Sequence, residues 1–467
     1  MERMQKILSQ DNNYPQKNST ECKGYEGVQT VIGITENHLV EVNFTREYLM
    51  EYIFSPGNLN NAFVQVKRNA GACGIDKMEV DELLPYLRKH KEELIKSLMQ
   101  GTYRPNPVRR VEIPKDNGKK RPLGIPSVVD RLIQQAISQV LTLIYDRTFS
   151  NSSFGFRPKR SCHQALRKVQ GHVNDGYKYA IDLDLEKFFD TVNHSKLIDV
   201  LSRTIKDNRL LSLIHKYLRA GVVISNKFEG TSLGVPQGGP LSPVLSNIML
   251  NELDKELERR GHRSVRYADD CMILCKSKRA ANRTKDSIVR FIENELFLKV
   301  HKEKTKVGYI QGLKFLGYSF YVMKGVCKLS LHSKSKVKLK SKLKDLTSRS
   351  KGFGYERCKI KLKEYIQGWI GYYKLADMKT YLQRVDEWLR RRLRMCIWKC
   401  WKKIKTKFIN LIKCNIDKSK AWQWANTRKS YWRTSKSPIL CRALDKDSLR
   451  IAGYPFLSDY YCKVYRK

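Results

Sequence analysis

Acidic residues are scarce in this chain of 467. Asp and Glu number 46 against 90 Lys and Arg, leaving a net charge of +44. A deficit of that size excludes a self-neutralised surface and requires a polyanionic partner, either nucleic acid or an anionic membrane surface. Long apolar runs are also missing. No stretch approaches the ~18–20 apolar residues that span a bilayer, and no signal peptide opens the chain, so nucleic acid is the stronger reading. Paired cysteines are missing too. Twelve Cys fall at irregular intervals, and the closest, Cys271/Cys275 and Cys396/Cys400, have three residues between them rather than two. This excludes a disulfide framework or a CxxC zinc site and points to reduced, cytosolic thiols. No repeat recurs at solenoid periods. Core-forming residues are not lacking: 41% hydrophobic and 10% aromatic content argue against disorder. The length is that of about three domains, enough to bury several cores without a disulfide or metal staple.

The positive charge is uneven. Residues 331–467 carry a net of +27, against +17 for the preceding 330 residues, which marks a separate basic module. Residues 1–45 are polar and read as a loosely ordered extension. From 46 to 330, helical and strand-like patterns alternate. Leu84, Leu87, Leu94 and Leu98 suit one helix, and Leu132, Ile133, Ala136, Val140, Leu141 and Ile144 another. Tyr179–Ile181 and Cys271–Leu274 read as strands. Gly and Pro clusters at 121–126 and 234–243 read as ordered loops. Beyond 331 the pattern is mostly helical. Leu382, Val385, Leu389, Leu393, Ile397, Trp401 and Ile404 recur at helical steps, with Arg384, Arg390, Arg391, Arg394, Lys402 and Lys403 around them. With so few acids available for pairing, that basic helix is expected to present a phosphate-binding face rather than a merely solvated one.

Two segments place acids beside strand-like sequence: Ile181-Asp182-Leu183-Asp184-Leu185-Glu186-Lys187-Phe188-Phe189-Asp190, and Val265-Arg266-Tyr267-Ala268-Asp269-Asp270-Cys271-Met272-Ile273-Leu274. Asp269 and Asp270 would occupy a hairpin turn. Acids at a hairpin tip are usually turn chemistry, but apolar flanks imply burial, and adjacent buried carboxylates repel unless a cation lies between them. Magnesium suits such a site, because it takes one or two carboxylates together with phosphate oxygens.

Tyr267-Ala268-Asp269-Asp270 resembles the YxDD signature of reverse transcriptases. Asp184–Asp190 resembles the first catalytic motif of that family. Gly234-Val235-Pro236-Gln237-Gly238-Gly239-Pro240-Leu241-Ser242-Pro243 resembles its PQG…SP motif, in the right order between the two. Arg121-Pro122-Leu123-Gly124-Ile125-Pro126 with Asp130-Arg131, and Phe154-Gly155-Phe156-Arg157-Pro158, resemble upstream finger motifs. Lys302-Glu303-Lys304-Thr305 and Phe315-Leu316-Gly317-Tyr318 resemble motifs after the hairpin. Ile366-Gln367-Gly368-Trp369-Ile370-Gly371-Tyr372-Tyr373 resembles the maturase domain of group II intron proteins. The series, over about 50–467, resembles a group II intron-encoded reverse transcriptase/maturase.

That resemblance implies an α+β right-hand polymerase: fingers and palm with an antiparallel sheet at 46–328, a helical thumb/maturase domain at 329–414, and a basic DNA-binding region at 415–467. It implies RNA-templated DNA synthesis from dNTPs with two Mg²⁺ ions (Mn²⁺ as a substitute), held by Asp184, Asp269, Asp270 and the Leu185 carbonyl. Lys304 would protonate the leaving pyrophosphate. Arg109, Lys115 and Arg121 would grip the triphosphate. Gln237 and Gly238 would line the nucleotide pocket, and Phe189 would exclude a 2′-hydroxyl, with Phe188 the better core residue. Arg68, in the Arg68–Asp76 loop segment, with Arg157, Arg390, Arg391, Arg394, Lys402, Lys403 and Arg433, would contact nucleic acid. Trp369 is expected in the core. Partners would be the intron RNA, RNA templates and target or primer DNA, with no membrane, in the bacterial cytosol and at the nucleoid. The oligomeric state is left open. The chain shows no paired CxxC of an HNH endonuclease, as in the compact class-C-like proteins, so priming from existing DNA 3′ ends is expected. Competing readings are a host-adopted reverse transcriptase, for example in defence, and a splicing factor without polymerase activity; RNA-templated RNA synthesis is disfavoured by Phe189.

Overall fold

The computed structural model describes residues 32–35, 38–41, 47–114, 118, 120–225, 227–350 and 354–465. Two compact units divide between Leu313 and Lys314. The sheet that follows this point therefore goes with the C-terminal unit, whereas the sequence reading ran the palm on to 328.

In the first unit, β1 (Ile32–Thr35) and β2 (His38–Glu41) pair antiparallel. The polar extension thus contains a strand pair, in keeping with its β-branched Ile32, Ile34, Thr35 and Val40. The helices α1 (Leu49–Ile53), α2 (Pro56–Asn69) and α3 (Leu83–Met99) follow. The hairpin of β3 (Val108–Pro114) and β4 (Lys120–Ile125) comes next. Here a loop expected at 121–126 is a strand. Pro122 is tolerated because β4 is the edge of its sheet, where a missing N–H breaks no ladder. Helix α4 (Val128–Tyr145) is buried along nearly all its length, capped by the Ser127 hydroxyl, which accepts from Asp130 N. Helix α5 (Cys162–Asn174) precedes β5 (Tyr179–Leu183). Helices α6 (Phe188–Thr191), α7 (His194–Ser202) and α8 (Asn208–Arg219) lead to β6 (Val222–Ile224) and β7 (Lys227–Glu229). Helix α9 (Ser242–Arg259) enters the hairpin of β8 (Arg263–Tyr267) and β9 (Asp270–Cys275), then α10 (Lys278–Asn294) and β10 (Lys306–Tyr309).

The central sheet has the order β10-β5-β9-β8 and is antiparallel throughout. Cys271–Cys275 is buried at every position, as suits an inner strand covered on both faces. Helices α5 and α9 pack on β8, and α10 on β5, β9 and β10. One continuous apolar core runs from Leu49 to Val300.

The C-terminal unit opens with a three-stranded sheet, β11 (Lys314–Phe315), β12 (Tyr318–Met323) and β13 (Val326–Leu331). Helices α11 (Ser333–Leu346), α12 (Tyr355–Tyr373), α13 (Lys379–Cys400), α14 (Ile404–Lys413) and α15 (Lys418–Ala425) follow, then shorter ones ending at Leu457–Tyr465. Trp369 is half-buried and lies 4.7 Å from the Tyr373 ring. The Tyr372 and Tyr373 hydroxyls donate to the Leu316 carbonyl and Ser335 Oγ at 3.1 Å each, so this aromatic group stitches α12 to the sheet and α11. The helix expected across 382–404 breaks at Trp401, leaving Lys402 and Lys403 exposed in the bend. Among the described residues no helix is long and apolar enough to cross a membrane.

Candidate active site

The β8–β9 hairpin turns through Ala268 and Asp269, with Tyr267 paired to Asp270. Ala268 takes φ +56°, a left-handed conformation that costs a residue with a Cβ about 1 kcal/mol or more. A buried network holds it there. Arg266 and Asp254, each 1% exposed, form an ion pair in which Arg266 Nε donates at 2.9 and 3.0 Å and Nη2 at 2.5 Å. Nη1 of the same guanidinium donates to Asn247 Oδ1 at 2.9 Å and to the Ala268 carbonyl at 3.0 Å. The strip before Arg157 lies directly against the turn: Phe154 N donates to the Arg266 carbonyl at 2.9 Å. A Cβ on Gly155 would come within 2.2 Å of Ala268 N, so only glycine permits this approach. Sequence reasoning missed Arg266, Asp254 and Asn247. The available signal was a lone arginine inside the otherwise apolar Val265–Tyr267 strand.

Asp184 follows β5 directly. Leu183 pairs with Cys271, so the next step along the antiparallel ladder brings Asp184 level with Asp270. Its backbone is fixed: Asp184 N donates to Thr305 Oγ1 at 3.2 Å, and its carbonyl accepts from His301 N at 2.9 Å. Lys304 Nζ lies 3.3 Å from Asp184 Oδ1, both groups being well exposed, so the pair adds little stability. Asp269 is solvent-exposed at the turn, yet the protein packed around it partly desolvates its carboxyl. This partial desolvation holds its carboxyl above the ordinary value. The Asp184 charge pushes the same way, while Arg121 and Arg266 oppose it. Among the described residues no three acidic, cysteine or histidine groups form a ready-made metal cage. What is assembled is the interacting Asp184–Asp269 pair with Asp270 beside it at the start of β9. The Asp184 charge opposes ionisation of Asp269, and a divalent cation between the two carboxylates would relieve that repulsion. Leu185 is buried, bridged to Val300.

The glycine-rich loop meets the finger hairpin. Arg121 Nε donates to Gln237 Oε1 at 2.9 Å, and Gly124 N donates to the Gln237 carbonyl at 2.5 Å. Gly238 has φ +118°, and a Cβ there would stand 2.3 Å from the Gly124 carbonyl. Arg121 thus reaches both the loop and the field of Asp269. Arg109 is half-buried on β3, and its Nε has no hydrogen-bond partner. Lys115 lies outside the described residues. Phe189 is 9% exposed in the main core, its ring 5.2 Å from that of Phe188, so both phenylalanines are core residues rather than Phe188 alone. Arg68 is exposed at the end of α2. The loop after it is clamped by Arg131, whose Nη1 and Nη2 donate to the Ala70 and Ala72 carbonyls at 3.2 and 2.6 Å.

Three expected nucleic-acid contacts are instead internal ties. Arg157 is 6% exposed, donates to Asp146 Oδ1 at 2.6 Å and to the Ser150 and Ser153 carbonyls at 2.6 and 3.0 Å, and stacks near Phe149. A charge so buried needs every one of these partners. Arg391 lies 3.8 Å over the Trp432 ring. Arg394 donates to the Leu444 carbonyl at 2.9 Å. These two anchor α13 to the helices after it, so its basic face is partly consumed by packing. Arg390 is half-buried, and Arg433 is exposed.

An antiparallel sheet with an acidic two-residue hairpin, an aspartate at the end of the neighbouring strand and a glycine-rich ledge has the layout of a polymerase palm. Residues 113–320 match the reverse transcriptase (RNA-dependent DNA polymerase) model, and residues 336–415 the maturase-specific domain of group II introns. The chain is 34% identical over 346 residues to the group II intron-encoded protein LtrA of Lactococcus lactis subsp. cremoris, covering 60% of this chain and 57% of the relative. It is 34% identical over 290 residues to protein YkfC of Escherichia coli K12, covering 54% and 76%. It is 38% identical over 203 residues to the putative COX1/OXI3 intron 2 protein of Saccharomyces cerevisiae, covering 43% and 23%. The chain belongs to the group II intron reverse transcriptase/maturase family. It spans a little over half the length of LtrA.

Proposed function

We propose that this chain is an RNA-directed DNA polymerase that also binds its intron RNA to promote splicing and retrohoming. The observation that carries the reading is the Asp184–Asp269 pair, set at the adjoining ends of the adjacent strands β5 and β9, with Arg121 of the Arg121–Gln237 ledge acting on Asp269. The acids Asp184, Asp269 and Asp270 with the Leu185 carbonyl would hold two Mg²⁺ ions. When bound, these activate the primer 3′-hydroxyl and neutralise the pyrophosphate that leaves. The protein's own groups do the rest. Arg121 and Arg109 bind the triphosphate through charge-assisted hydrogen bonds. Gln237 and Gly238 support the nucleotide from the loop. Lys304, held beside Asp184, supplies a proton to the leaving group. Phe189 limits space at the sugar. The exposed Arg68, Lys402, Lys403 and Arg433 and the half-buried Arg390 contact nucleic-acid phosphates, and binding should weaken by an order of magnitude or more between 50 and 200 mM salt.

Primer extension on a long structured RNA template with dNTPs and Mg²⁺ tests the proposal. Full-length cDNA from the wild type and none from Asp269→Asn is the expected result. No product from either, with RNA still bound, would leave a splicing cofactor without polymerase activity.

A further inference from the structure

A cavity of about 470 Å³ lies at the end of the central sheet away from the Asp269 turn. The register places it there: Arg263 pairs with Leu274, and Tyr179 with Cys275. Five strand steps separate Cys275 from Asp270, about 17 Å at roughly 3.4 Å per residue. The cavity is lined by Tyr177, His262, Arg263, Lys276, Arg283 and Ser287, among others, and no Asp or Glu lines it.

Its cations are unneutralised. Arg263, Lys276 and Arg283 are exposed and make no ion pair among the described residues. The nearby acids are only in part available to them, with Asp175 and Glu258 acting on His172 and Lys168 of α5. Glu256 is taken by Arg259 and Arg260, Glu258 accepts the Ser150 hydroxyl at 2.5 Å, and Asp286 pairs with Lys285. Lys276 Nζ sits 5.5 Å from the centre of the Tyr177 ring, so charge and aromatic surface are presented together. The positive field extends to α5, which packs on β8. Burial, then Arg160 and Arg263, hold Lys168 below its ordinary value against the pull of Glu258, and burial with Lys168 and Arg263 does the same to His172 against that of Asp175. His172 Nε2 is buried without a hydrogen-bond partner.

We infer that this cavity is a phosphate-binding site that takes the backbone of an RNA segment outside the polymerase cleft. Three unpaired cations around a half-buried tyrosine match a phosphodiester flanked by a base or sugar. Their exposed rim suits a continuous strand better than an enclosed mononucleotide. The assignment of RNA as the occupant rests on the proposed function, but the cationic cavity does not.

The test uses the full chain and an Arg263→Gln/Arg283→Gln double variant; both side chains are exposed, and an unchanged thermal midpoint verifies the fold. Affinity for a long structured RNA is measured across a salt series. The expected result is about a tenfold or greater loss of affinity and a salt slope shallower by about two. Lys276→Gln alone should reduce the slope by about one. Extension of a short primer–template that ends in the polymerase cleft should proceed at the wild-type rate, which separates failure here from failure of the polymerase reading. RNA affinity and slope equal to wild type would overturn the inference. So would calorimetric binding of inorganic phosphate or AMP that the double variant loses while RNA binding is unchanged, which would make the cavity a free-anion site instead.

Discussion

Replacing Arg266 with Met should separate two roles of one guanidinium. The first is stability. The substitution leaves the Asp254 carboxylate, 1% exposed, without its counter-charge. Breaking a buried pair by removing one partner costs about 3–5 kcal/mol, read as a lower urea midpoint. The second is positioning. Arg266 Nη1 braces the Ala268 carbonyl at 3.0 Å, and Ala268 sits at φ +56° directly before Asp269. Freed from that brace, the turn can relax, and a 1 Å displacement of a reacting group costs ~10²-fold in rate. A second substitution decouples the effects. Arg266→Met with Asp254→Leu removes both charges, and apolar replacement of a buried pair is often neutral or stabilising. The double variant should regain most of the lost stability yet stay slow in single-turnover primer extension, with kcat rather than KM reduced. Arg266→Lys, which keeps the charge but not the fork, should also stay slow. A stable double variant with wild-type kcat would refute the positioning role.

Asp269 gives a pH prediction. Its folded value is raised, so the fold favours the protonated carboxyl: that contribution is full below the unfolded value and is lost as pH rises through the folded one. In chelator at neutral pH, Asp269→Asn should therefore raise the thermal midpoint, and the gain should vanish in acid. Equal gains at both pH values would contradict the electrostatic account. Phe189→Val should increase rNTP incorporation while costing stability through the core cavity it leaves; unchanged dNTP/rNTP selectivity would remove the sugar-gate role. Arg157→Gln should lower the urea midpoint of folding by breaking its pair with Asp146, with no change in the salt slope of RNA binding, since its cation is enclosed. A shallower slope would return it to the RNA surface.

The motifs were legible because chemistry restricts residue types in short segments. The Tyr267–Asp270 turn, Asp184 at the end of β5 and the Gln237–Gly238 loop could be read in order along the chain. The Leu132–Ile144 spacing likewise read as α4. Other features depend on packing partners far away in sequence. Arg157, Arg391 and Arg394 look like solvent-facing cations until Asp146, Trp432 and Leu444 are placed beside them. Pro122 argued for a loop until β4 proved to be an edge strand. Helix α13 stopped short of 404 at Trp401, which packs against Trp398 with its rings 5.8 Å apart.

By itself, the sequence determined the charge balance that demands a polyanion, the order of the polymerase and maturase motifs, and the residue types able to hold a metal and a triphosphate. These are properties of composition and local spacing. Only the tertiary structure decided which cations remain free and which are consumed by buried partners. It also decided that Arg266, Asp254 and Asn247 carry the hairpin turn, and that unneutralised arginines gather at the far end of the sheet. Those outcomes depend on strand register and helix packing, which bring together groups that the chain keeps many residues apart.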